Sequence, residues 1–212
     1  MGTNYTLRLA TFEEAYEIWS IMDICYQALE HKEYFICDDL EYVKDILSGN
    51  GFGVVACDQN GKIVGNLLVK YPGITDENLG YDVFIKYPGI NEENPGYDVF
   101  VTSKNSKNEV MNLFFNRINN SDIQLTSDNL NRVLHMDSAS VLPDHRGHGL
   151  EQKMIAFAET LVDTSKYCYS FATVAPDNLA SLKSLERNGY KIMVTKEKYA
   201  GYVRYVMMKE LK

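Results

Sequence analysis

The sequence predicts an α/β protein, a sheet covered by helices, and three observations carry that class. From Arg132 onward, strand-like and helix-like segments follow in the order strand, helix, strand, helix, strand, which builds a sheet with helices packed over it. Nearer the start, two apolar strands flank the turn Asp58-Gln59-Asn60-Gly61, and Asn-Gly between such runs is a strong hairpin signal. Between the first strand and that hairpin lie two segments with apolar residues at helical spacing.

Each element has its own local reason. Tyr5-Thr6-Leu7-Arg8-Leu9-Ala10 alternates as a half-buried strand does. Thr11 with Glu14 three residues on makes a capping box, and Ala15, Trp19, Met22, Tyr26 and Leu29 behind it fall at helical spacing. Asp38 or Asp39 can cap a second helix running through Val43, Ile46 and Leu47 to the stop Gly49-Asn50-Gly51. Strands at 52–57 and 62–71 form the hairpin. After the middle of the chain come a strand at 133–141, a helix at 149–162, a strand at 167–174, a helix at 176–188, and strands at 190–196 and 202–208.

Composition bounds the function. At 212 residues, 45% hydrophobic and 24% charged, the chain suits one globular domain over 1–212 and excludes wholesale disorder. Apolar runs such as Val54-Val55-Ala56-Cys57 fall far short of the roughly 20 residues a membrane-spanning helix needs, so a soluble, cytoplasmic protein without a membrane partner is expected. Acidic residues outnumber basic ones, 29 to 21, for a net charge of -8. That balance argues against nucleic acid, whose phosphates call for Lys and Arg. It either draws in a cationic amine or keeps the protein soluble. Cys25, Cys37, Cys57 and Cys168 are scattered, and His31, His135, His145 and His148 form no zinc-like spacing with them. Reduced thiols and no metal are expected.

The middle of the chain repeats itself. A sixteen-residue unit at 70–85, starting Lys70-Tyr71-Pro72-Gly73, recurs at 86–101 with differences at only four positions. Two copies are too few for a solenoid. The pair reads as a tandem insertion at a hairpin, tolerated because lengthening a loop costs little, or as a lid over a substrate. Each copy carries three acidic residues against one lysine, so the pair supplies half of the net charge of -8. Strand edges at 81–85 and 97–101 could pair between subunits of a homodimer. A polar stretch at 102–130 reads as surface elaboration.

The chemistry concentrates at Ser140-Val141-Leu142-Pro143-Asp144-His145-Arg146-Gly147-His148-Gly149-Leu150. A buried strand ends at a Pro turn, and a glycine loop opens an apolar helix. Unpaired N–H groups and the positive dipole end there suit phosphate oxygens, and Gly147 and Gly149 let the backbone come close. No Gly-Lys-Ser/Thr follows, so this is not a mononucleotide P-loop. The third glycine of the dinucleotide fingerprint is also missing.

Val-x-Pro-x-x-Arg-Gly-x-Gly-Leu at 141–150 resembles the acyl-CoA motif of the GNAT N-acetyltransferase superfamily, and Asn178, Ser181 and Asn188-Gly189-Tyr190 resemble its downstream segment. The resemblance covers 133–196 and implies the GNAT acyl-CoA N-acyltransferase fold, a mostly antiparallel sheet flanked by helices, with acetyl-CoA as co-substrate. It implies that Arg146, Gly147, His148, Gly149 and Leu150 cradle the pyrophosphate, with Glu151 beside them, and that Ala139, Ser140 and Val141 pair with pantetheine. Asn178 and Ser181 would stand by the pantetheine arm, although Asn178 is equally a helix cap.

Two residues depart from the family pattern. Glu151 stands where Gly or Ala is usual and is expected to point outward. Leu185 stands where many members carry the Tyr that protonates the departing thiolate, which leaves Tyr190, Tyr199 or water for that role. For the base, period-2 alternation puts His135, Asp137, Ala139 and Val141 on one face, with Asp137 first and His135 second as candidates; both can equally be structural. The Val141 N–H is the natural oxyanion donor. The expected reaction is direct acetyl transfer to a primary amine of a small molecule or peptide. The alternative is a non-catalytic CoA-binding sensor or interaction module.

Overall fold

The computed structural model describes residues 4–71, 132–198 and 202–212. The alternating start of the chain forms β1 (Thr6–Leu9). The Glu14 carboxylate accepts from the Thr11 N–H at 2.8 Å and binds Arg8 at 2.6 Å, fixing the chain's entry into α1 (Ala15–Gln27). Of the two candidate caps for α2 (Leu40–Asp45), Asp39 takes the role, accepting from the Tyr42 N–H at 2.9 Å. The hairpin of β2 (Gly51–Cys57) and β3 (Ile63–Lys70) turns as expected. Gly61 sits at φ +79°, and Asp58 accepts from the N–H groups of Asn60 and Lys62 at 2.9 and 3.0 Å.

The second half follows the expected alternation: β4 (Val133–Val141), α3 (Leu150–Thr160), β5 (Tyr169–Val174), α4 (Leu179–Arg187), β6 (Lys191–Lys198) and β7 (Tyr202–Glu210). Both helices start slightly later than the sequence suggests. Gly149 is left-handed and ends the loop before α3, while Asn178 caps α4, so Pro176 and Asp177 belong to the turn. One seven-stranded sheet runs β1-β2-β3-β4-β5-β7-β6, and every neighbouring pair is antiparallel except β4 with β5. On one face α3 packs Leu150, Met154 and Ile155 against Val54, Leu67, Leu134 and Met207. On the other, α1 and α2 pack Ile18, Met22 and Val43 against Val55, Cys57 and Leu68.

Two irregularities in β4 position the site. Among the described residues its pairing with β5 covers only Val133↔Tyr169, Leu134↔Ser170 and His135↔Phe171, although both strands continue, so beyond His135 they diverge. The register with β3 also slips: Leu67 faces Ala139 but Val69 faces Met136, leaving one extra residue on β4. Such a bulge inverts the pleat. Ala139 and Val141 therefore lie on the α3 face with Leu67 and Gly65, while His135 lies across the sheet, paired with Lys70. This corrects the expectation that His135, Asp137, Ala139 and Val141 share one face.

Because β3 and β4 are hydrogen-bonded neighbours, residues 71–132 link adjacent strands. Apart from Lys70 and Tyr71, the tandem repeat at 70–101 lies outside the described residues. So do the polar stretch 102–130, the strand edges behind the homodimer expectation, and Tyr199. All four cysteines are free thiols. Among the described residues no helix is long and apolar enough to cross a membrane, and no His, Cys, Asp or Glu cluster is arranged for a metal.

Candidate functional site

The divergence of β4 from β5 opens a wedge in the sheet. The Leu142 N–H donates to Val64 O at 2.9 Å, so by strand alternation Leu142 and Ser140 aim their backbone groups at β3. Val141 and Ala139 aim theirs into the wedge. The Val141 carbonyl there accepts from Arg146 Nε at 3.1 Å, which folds the turn Pro143–His145 back onto the strand. Gly147 and Gly149 follow at φ +81° and +67°, a left-handed backbone that side chains disfavour. A Cβ at either glycine would meet nothing within 4 Å, so the space in front of α3 is open. The first N–H groups of α3 face that space without helical partners, and Leu150, 2% exposed, anchors the helix start in the core. Tyr5, just before β1, steadies the loop, its hydroxyl 3.1 Å from His145 Nδ1 and its ring against His148.

Glu151 does not point outward. Its Oε1 accepts from Ser181 Oγ of α4 at 2.5 Å, and burial pushes its carboxyl above the ordinary glutamate range, opposed by the hydroxyls of Ser181 and Ser184. A carboxyl biased toward its neutral form repels phosphate less than a free carboxylate does. Glu151→Gln is accordingly expected to bind CoA several-fold more tightly than wild type at pH 8. The gap should close as pH falls and Glu151 protonates, as calorimetric titration at several pH values would record. Asn178 caps α4, its Oδ1 accepting from the Ser181 N–H at 3.4 Å, and both residues line the same cavity as the loop.

That cavity, of about 1300 Å³, is lined by Arg146, Gly147 and Gly149 as well as by Asp38, Lys70 and Asp137. At this second end the Asp137 carboxylate is well held. His135 Nδ1 lies 3.1 Å from its Oδ1, and Ser138 Oγ donates to Oδ2 at 3.2 Å. Burial works to raise its pKa, but His135, the Lys70 ammonium and the Tyr42 hydroxyl outweigh it and hold the carboxyl below the ordinary aspartate range. His135 is 8% exposed and stacks on Phe171 of β5 at 4.6 Å. Asp38 behaves in the opposite way. Burial, then the charge of Asp137, push it up to about 7, with Lys70 opposing.

Tyr190 takes no part in this cavity. It is 3% exposed, its hydroxyl is 2.6 Å from Ser170 Oγ, and burial raises its pKa further. As a proton donor at the site it is therefore a correction: the chain turns at Gly189 (φ +88°) and delivers the ring into the core behind α3. Leu185 does line the cavity and is 3% exposed. Sequence reasoning missed Asp38, Lys70 and Tyr42 as site residues. Only one signal pointed to Asp38, the Asp38-Asp39 doublet, in which a helix needs one cap and leaves the other carboxylate without that duty.

No protein-family model matches the sequence, and no curated protein does. Solved structures do match in fold. The chain is similar to an acetyltransferase of the GNAT family from Streptococcus pneumoniae, with a TM-score of 0.59, 12% identity, and 98% of this chain and 99% of that one covered. It is similar to yncA of Salmonella typhimurium, solved with acetyl-CoA, at a TM-score of 0.59 and 13% identity over 98% and 94% of the two chains. The aminoglycoside acetyltransferase AAC(6')-Ib, solved with coenzyme A and kanamycin, matches at a TM-score of 0.54 and 16% identity over 98% and 95%. A seven-stranded, mostly antiparallel sheet flanked by helices is thus shared with GNAT acetyltransferases across nearly the whole chain.

Proposed function

We propose that this GNAT-fold chain is an acetyl-CoA-dependent N-acetyltransferase that passes the acetyl group directly to a primary amine of a small molecule or peptide. The observation that carries the reading is the wedge between β4 and β5 opening onto a left-handed Arg146-Gly147-His148-Gly149 loop at a helix N-terminus. An extended pantetheine arm fits a gap lined by the backbone groups of Ala139 and Val141. A pyrophosphate fits the open space that a Cβ at Gly147 or Gly149 would face. Acetyl-CoA supplies the activated thioester, and the chain's residues do the rest. Arg146 and the loop N–H groups hold charge, with Leu150 and Glu151 fixing the helix start behind them and His148 at the loop's rim. Asn178 and Ser181 flank the arm, and the Val141 N–H meets the carbonyl oxygen as it gains charge. Ser140, paired with Asn66, turns its backbone groups to β3 and so does not pair with the arm, contrary to the expectation for it.

At the other end of the cavity Asp137, held anionic by His135 and Ser138, attracts the acceptor as a cation. Direct transfer is the reading the Cys25 thiol supports. Cys25, which lines the cavity, is pushed up in pKa by burial, and a protonated thiol is a poor nucleophile.

Release of CoA thiol from acetyl-CoA against a panel of polyamines, aminoglycosides and peptides tests this, alongside calorimetric CoA binding. Leu185 at the position of the usual acid favours one second reading, a CoA-binding module without catalysis. Tight CoA binding with no turnover across the panel would select it.

A further inference from the structure

We propose that Asp38 is the catalytic base of this site, taking the proton from the acceptor ammonium while Asp137 stays a fixed anion that positions it. This rests on the acetyl-transfer reading above. The division of labour follows from what each carboxylate touches. Asp39 is committed to the α2 cap. Both oxygens of Asp137 have neighbours, His135 Nδ1 and Ser138 Oγ, so a proton arriving on either oxygen competes with a contact already made. Asp38 lines the same cavity, half-buried, and among the described residues no hydrogen bond reaches its carboxyl. It is the acid with an open coordination shell.

The groups around Asp38 set its proton affinity. Asp137 acts on it from β4 and Lys70 from β3, while His135 of β4 and Tyr42 of α2 line the same cavity and act on Asp137; Cys37 and Asp39 are its chain neighbours, and Arg204 of β7 lines the cavity too. Burial, Asp137 and Asp39 raise its affinity and Lys70 lowers it, to a balance at about 7. A general base works best when its pKa lies near the operating pH.

The step balances without another reactant. The acceptor R-NH3+ gives one proton to the Asp38 carboxylate, leaving a neutral amine. Its lone pair forms the N–C bond to the thioester carbonyl. The C–S bond breaks with its electron pair on sulfur, and the thiolate takes the second proton from nitrogen. Products are the amide and CoA thiol, and Asp38 returns its proton to water.

The test is a pH profile of kcat/KM on the full chain, with a carbon-13 NMR titration of aspartate carboxyls in the ligand-free protein. In the wild type, the rate should rise with pH through a midpoint near 7, and one aspartate should titrate there. Asp38→Asn should abolish both signals and lower kcat/KM about 100-fold, with CoA affinity unchanged. Asp137→Asn removes a like charge and should move the midpoint toward acid, whereas Lys70→Met removes an opposite charge and should move it toward alkali. Those opposite shifts decide the matter if Asp38→Asn fails to fold. No aspartate titrating near 7, shifts of one sign, or a wild-type profile retained by Asp38→Asn would each overturn the assignment while acetyl transfer stands. A wild type that binds CoA and acetylates no amine would instead overturn the acetyl-transfer reading, and this assignment with it.

Discussion

Gly147→Val is expected to weaken CoA binding about 100-fold in calorimetric titration while costing the fold only about 1–2 kcal/mol, the penalty for a side chain in left-handed backbone. At φ +81°, with nothing within 4 Å of a Cβ there, the valine meets no protein atom. Its strain is present in free and bound chain alike and cancels from the affinity. What does not cancel is volume: in the proposed binding mode the side chain stands where a phosphate comes to reach the loop N–H groups. A factor of 100 corresponds to about 2.7 kcal/mol, comparable with one or two charge-assisted hydrogen bonds. Gly61→Val separates the two effects. Gly61 has the same handedness, φ +79°, and equally open surroundings, but it sits in the β2–β3 turn. It should lose similar stability and leave CoA affinity unchanged. Equal CoA loss in both variants would mean that strain, and not occupation of the cradle, controls binding.

The largest stability effect is expected for Phe171→Ala, about 3–5 kcal/mol in urea unfolding. Against a total of about 5–15 kcal/mol for an ordinary domain, that is a substantial share. Phe171 is fully buried (0% exposed) and stacks on His135. It is also the last β5 residue paired with β4 before the strands part. Truncation leaves a cavity at the apex of the wedge and frees the imidazole beside Asp137. Acetyl transfer should therefore fall more than the remaining folded fraction accounts for, while CoA affinity, set at the opposite end of the cavity, should hold in that fraction. Phe171→Leu, which keeps most of the volume, should cost far less. If Phe171→Ala unfolds no more readily than Phe171→Leu, the apex is not the packed point this geometry describes.

The glycine loop proposed to take CoA was legible because its determinants are local. Gly147 and Gly149 are the residues a left-handed loop calls for. Arg146 lies five residues from the carbonyl it binds, and the apolar spacing of Leu150 and Met154 announces the helix behind them. Glu151 was misjudged because its partner, Ser181, is thirty residues away on another helix. The proposed acceptor end of the cavity was illegible for the same reason on a larger scale. Asp38, Lys70 and Asp137 come from a helix entry and two strands, and only the packing of α1 and α2 over the β3–β4 pair brings them into one cavity.

By itself, then, the sequence determined the order of strands and helices, the hairpin, the caps at Thr11 and Asp39 or its neighbour, and the glycine loop. These are all properties of a few adjacent residues, expressed through periodicity, φ preference and short-range hydrogen bonds. The tertiary structure alone decided three things: the bulge that sends Ala139 and His135 to opposite faces, the parting of β4 from β5 that opens the wedge, and the environments that hold one aspartate ionised and push its neighbour up to about 7. A bulge is a mismatch between two strands, and a perturbed acid is the sum of charges from several elements. Neither quantity exists until the chain has brought distant residues together.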